Sequence, residues 1–158
     1  MKILLYGYGN PGRSDDGLGN EFVNRLEDYV KEQNIDYVYF DSNYQLNIED
    51  AAIISEYDYV FFIDASQEDI DDFIITKVNP DDARIEFTMH AVSVPYILHL
   101  CKSLYNKSPE TFLIHIKGYD WDFKEGLSEK AIRNLEKSTE FIKKAISNPS
   151  KIHELINI

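Results

Sequence analysis

The chain has 158 residues, 44% hydrophobic and 28% charged, with 28 Asp and Glu against 16 Lys and Arg. That size fits one domain around one core, and the composition excludes a disordered chain. A net charge of −12 repels nucleic acid and anionic lipid, so neither is expected as a partner, and no apolar run is long enough to span a membrane.

Residues 2–8 (KILLYGY) form an apolar run stopped by glycine, the pattern of a buried parallel-type strand. Gly7, Gly9 and Gly12 then match G-x-G-x-x-G. Leu18, Phe22, Leu26, Tyr29 and Val30 recur at helical spacing and predict a helix from residue 15 to about residue 31. Residues 35–40 read as a second strand ending at Asp41. Asn47 reads as the cap of a short helix with Glu49 and Asp50 in its first turn. Residues 57–63 (YDYVFFI) are the most apolar strand and end at Asp64. A strand over 72–79 is closed by Pro80. Val94, Ile97, Leu98, Cys101, Leu104 and Tyr105 mark the buried face of a helix. Residues 111–117 alternate as a strand, and an amphipathic helix runs from Ser128 to about residue 146. Residues 1–147 are read as one domain and 148–158 as a tail after the helix-ending Pro149. Cys101, the single cysteine, reads as core and has no internal disulfide partner. With no signal-peptide pattern before the first strand, a cytoplasmic protein is expected.

Alternating strands and helices predict an α/β domain: a mostly parallel sheet of about five strands with helices on both faces. The strands over 57–63 and 72–79 are too close in sequence for a parallel crossover. They are therefore expected to be antiparallel or not adjacent.

The glycine loop admits two readings. As a dinucleotide fingerprint it would use Gly7, Gly9 and Gly12, with Asp41 on a ribose. Against that, Pro11 removes an amide, and Asp15 and Asp16 would repel a phosphate at the helix start. Of the two acids, Asp15 is expected to serve the helix start. Ligands of parallel sheets sit at the carboxyl ends of strands, and Asp16, Asp64 and His90 all fall at such loop positions. Two carboxylates and an imidazole form an open site for nickel, zinc or a related divalent ion. Each residue alone also has a structural reading. Ser93 is read as a helix cap, and His99 and His115 as structural.

The sequence resembles the hydrogenase maturation endopeptidases. The resemblance rests on Tyr8-Gly9-Asn10-Pro11, on Arg13-Ser14-Asp15-Asp16-Gly17-Leu18-Gly19, on Ile63-Asp64-Ala65 and on His90-Ala91-Val92-Ser93. The segments from Tyr44 to Ala51 and from Gly118 to Phe123 also look like one branch of that family. The resemblance implies a three-layer α/β/α sandwich with a twisted mixed sheet. It implies a monomeric protease that removes the C-terminal extension of a nickel–iron hydrogenase large-subunit precursor once nickel is in place. It puts the metal-binding and catalytic trio on Asp16, Asp64 and His90, with the nickel supplied by the precursor and other divalent ions able to substitute. Asp41, Gln45 and residues 118–123 are candidates to line the substrate groove. Two rival readings are a nucleotide-binding module on the glycine loop and a non-catalytic nickel-binding accessory protein.

Overall fold

The computed structural model describes residues 1–82 and 92–156. Five strands form one sheet: β1 (Ile3–Tyr8), β2 (Val38–Asn43), β3 (Tyr59–Ser66), β4 (Phe73–Lys77) and β5 (Glu110–Lys117). Their spatial order is β2-β1-β3-β5-β4, with β1, β2, β3 and β5 parallel and β4 antiparallel to β5 at the edge. The consecutive strands β3 and β4 are not neighbours, because β5 inserts between them.

The helices are α1 (Leu18–Glu32), α2 (Asp50–Ile54), α3 (Val94–Tyr105), α4 (Glu129–Ser147) and α5 (Ile152–Ile156). Side chains alternate across the sheet. On one face Ile3, Leu5, Phe61, Ile63, Phe112 and Ile114 pack under the apolar stripes of α1 and α4. On the other, Leu4, Tyr6, Val60 and Phe62 pack under α2 and α3. The result is the three-layer α/β/α sandwich with a mixed, mostly parallel sheet. Ser128 caps α4 and Ser93 caps α3, each accepting a backbone N–H three residues on. Among the described residues no helix is long and apolar enough to cross a membrane.

Several boundaries differ from the sequence reading. Residues after α1 do not open a strand at residue 35. Asn34 takes a left-handed φ of 53° and the Ile35 N–H turns back to the Val30 carbonyl at 3.0 Å, which closes the helix. β2 therefore starts at Val38, and Asp41 lies within it rather than at its end. Asp64 likewise lies inside β3, which continues to Ser66 because β5 pairs with it that far. The Asn47 side chain does not cap α2. Instead the Asp50 carboxylate reaches back and accepts the Asn47 N–H at 2.8 Å. Leu104 and Tyr105 are exposed, so the buried stripe of α3 ends at Cys101. After Pro149 the chain makes a 3-10 turn and α5, and Ile152 is fully buried against the α1–α4 layer.

Candidate functional site

β1 and β3 sit side by side at the centre of the sheet, and the chain leaves β1 on one side toward β2 and enters the other half through β3. Their carboxyl ends are thus a topological switch point, where parallel sheets open a crevice. The loop after β1 fills that crevice. Gly9 has a φ of +145°, and a Cβ there would meet the Asp16 carbonyl at 2.0 Å. Gly7 faces the Gly19 carbonyl at 2.0 Å from an added Cβ, and Gly19 faces the Ile63 carbonyl at 2.4 Å. The missing side chains therefore let the chain approach itself, drawing the start of α1 onto β1 and β3. Gly12 has no such role. It only turns under Asn10, whose Oδ1 accepts its N–H at 2.9 Å. The close packing expected of a third fingerprint glycine is supplied here by Gly19.

Asp15 and Asp16 diverge within a 3-10 turn, Ser14–Gly17. Asp15 is fully buried and faces the segment after β5. Its carboxylate accepts the N–H groups of Tyr119 (2.7 Å), Asp120 (2.9 Å) and Ser128 (2.8 Å) and the Ser128 hydroxyl (2.7 Å). It does not serve the start of α1, as its position suggested; it organises the loop that leads into α4. The same contact is reinforced by backbone bonds from Ser14 to Lys124 and from Asp15 to Asp120, and by Arg13 Nε on the Trp121 carbonyl. Gly118 makes room for it, since a Cβ there would lie 2.9 Å from Asp15 Cβ.

Asp16 is half-buried, and its Oδ2 accepts the Asn10 N–H at 2.9 Å. Asp64 emerges from the centre of the sheet on the α2–α3 face. One step past the last β1–β3 pair, Gly7 with Ile63, Tyr8 stands level with Asp64, and its phenol lies beside the Asp64 carboxylate. Burial, and next the Asp16 charge, push Asp64 up from 3.8 to about 7; the bonds from Tyr8 and the Ala65 backbone act the other way. The Tyr8 phenol is itself held well above its ordinary value, first by burial and then by the Asp64 charge. Two carboxylates whose charges oppose each other in a crevice lower their energy by sharing a proton or a cation.

The structure thus brings Asp16 and Asp64 together. His90 lies outside the described residues, and among those described no three His, Cys, Asp or Glu side chains converge to hold an ion. Asp41 is on the same sheet face but accepts the neighbouring Ser42 N–H at 2.8 Å, and Gln45 is exposed beyond β2. His115 meets Thr76 on the edge strand at 3.0 Å, and burial holds its imidazole below the usual value. His99 is exposed on α3. Sequence reasoning missed Tyr8 as a neighbour of Asp64. The signal was present in its parity, since Leu4, Tyr6 and Tyr8 share one face of β1 and Asp64 shares it on β3.

No family model matches the chain. Over 150 residues it is 29% identical to a protein of Methanocaldococcus jannaschii described as a "putative hydrogenase maturation protease", covering 89% of this chain and 93% of that one. The fold is shared with the NiFe hydrogenase maturation protease HycI of Thermococcus kodakarensis, with a TM-score of 0.74 and 24% identity over 93% of each chain. It is shared also with the hydrogenase maturating endopeptidase HybD of Escherichia coli, with a TM-score of 0.75 and 19% identity over 94% of each chain. The chain is thus similar in sequence, over most of both chains, to a protein described as a hydrogenase maturation protease, and it shares its fold with two solved proteases of that description.

Proposed function

We propose that the protein is an endopeptidase that removes the C-terminal extension from the large-subunit precursor of a nickel–iron hydrogenase after nickel insertion. The observation that carries this reading is the pairing of Asp16 with Asp64 at the β1–β3 switch point, in a chain whose relatives bear that name. The pair is short of positive charge, and a divalent ion arriving with the substrate would let both carboxylates ionise. Nickel suits carboxylate and imidazole donors, with precursor thiolates as its other ligands. In this reading His90 supplies the imidazole. Precursor without nickel lacks the bridging ion and is left uncut. Asp64 is the group placed to take a proton from an attacking water, with the Tyr8 phenol beside it. The glycine loop favours no nucleotide, because the space at Gly9 and Gly19 is filled by the protein's own backbone.

The test is to incubate the protein with nickel-loaded and nickel-free precursor and look for a shortened large subunit. Only the loaded form should be cut. Equal cutting of both forms would sink the nickel checkpoint, and no cutting of either would leave an accessory role. Asp16→Asn, Asp64→Asn and His90→Gln should each abolish cleavage; a variant that cuts normally removes that residue from the site.

A further inference from the structure

The loop that holds Asp16 is bracketed by two segments, and each presents a bare aromatic ring. On one side the Gly9 N–H donates to the Asn43 carbonyl at 3.0 Å, tying the loop to the end of β2, and the next residue is Tyr44, 70% exposed. On the other side residues 13–15 are bonded to residues 119–124, which carry Phe123, 84% exposed. Tyr119 on that segment is also exposed, but its hydroxyl accepts from Asn134 at 3.0 Å and its ring lies under Lys130. Over the Phe123 ring lies the Arg13 guanidinium, 4.9 Å from its centre. A phenylalanine left in water is costly, and here the backbone beneath it is fixed by the buried Asp15 carboxylate rather than left free to fold the ring inward. Rigid, exposed aromatics around a polar centre are the anchors of protein interfaces.

We propose that Phe123 and Tyr44 are the anchors that seat the large-subunit precursor, each taking an apolar side chain of that partner while Asp16 and Asp64 face the nickel. This rests on the function proposed above. The occupant is the precursor because both rings are bonded through their segments to the loop that carries Asp16. Being held by the same loop, the anchors also set the distance from docking surface to site.

The experiment measures binding and cleavage separately, using each nickel-loaded nickel–iron hydrogenase large-subunit precursor of the source organism with the full chain. Phe123→Ala should weaken precursor binding and raise KM by roughly tenfold or more, with kcat at saturation within about twofold of the parent. Tyr44→Ala should act in the same direction, and Phe123→Leu should recover part of the loss. Asp16→Asn should do the reverse, sparing much of the binding while abolishing kcat. If the parent cuts the precursor and both alanine variants match it in KM, the anchors are refuted and the protease stands. If the parent neither binds nor cuts any precursor, both proposals fall together. Sedimentation showing a dimer that Phe123→Ala disperses would assign the surface to a second copy of this chain and overturn the proposal.

Discussion

The two faces of the sheet are finished differently. The face under α1 and α4 is apolar from Ile3 to Ile116 and is sealed along its length by two long helices and Ile152. The face under α2 and α3 starts the same way, with Leu4, Val60 and Phe62, then turns polar toward the strand ends at Tyr6, Tyr8, Asp41 and Asp64. One face holds the molecule together. The other gives up part of that stabilisation to keep ionisable groups beside a crevice. Tyr6 shows the transition, since its ring packs on Phe62 at 5.3 Å while its hydroxyl donates to the buried Asp50 at 2.9 Å.

Four measurements would break or sharpen this contrast. The largest effect belongs to the sealed face: Phe22→Ala removes a fully buried ring and should cost about 3–5 kcal/mol in chemical denaturation. It should leave the pH dependence of stability unchanged. On the open face Asp64→Asn should stabilise the metal-free protein. The Asp64 carboxyl titrates near 7 in the folded state and near 3.8 when unfolded, so the folded protein holds a proton longer. Stability is therefore lost as pH rises from about 4 to about 7. The asparagine variant escapes that loss, gaining about 2–4 kcal/mol at pH 8 and nothing below pH 4. Equal stabilities at pH 8 would mean that Asp64 is not strained by its neighbours. Next in size, Ser128→Ala removes both the α4 cap and a bond to Asp15, at about 1–2 kcal/mol by thermal or chemical melting. The smallest is Asp16→Asn, which should move stability by about 0.5 kcal/mol or less. It should still lower the Asp64 titration, followed by carboxyl NMR, because the opposing Asp16 charge is gone. An unmoved titration would separate the two carboxylates.

What was legible in the sequence follows the same division. Apolar periodicity gave the sealed face correctly, since Leu18, Phe22 and Leu26 can satisfy their spacing in only one way. On the open face the two acids that lie near each other stood out. Asp16 follows one apolar strand and Asp64 directly follows the apolar run 60–63 of another, and an acid there has few structural excuses. Asp15 was misread because its donors at Tyr119, Asp120 and Ser128 come more than a hundred residues later, beyond the reach of a local pattern. Tyr8 escaped notice for a related reason: its significance depends on which strand lies beside β1. The limits of β2 depended on a helix-closing turn at Asn34, where propensity pointed to a strand. The glycine fingerprint was the least informative signal, because Gly7 and Gly9 serve the chain's own close approach, and Gly19 lies outside the pattern.

The reach of Asp15 has a consequence for synthesis. Its carboxylate belongs to the first tenth of the chain, and among the described residues every donor it receives is translated after residue 118. A nascent chain that has completed β1, α1 and β3 still carries a charge it cannot bury. The Asp15 side of the loop gains its partners only when the ribosome has delivered Ser128 and the start of α4. Incomplete chains thus lack the Asp15 anchor of the loop that carries Asp16 even when most of the sheet has been made, although that loop is among the earliest residues made.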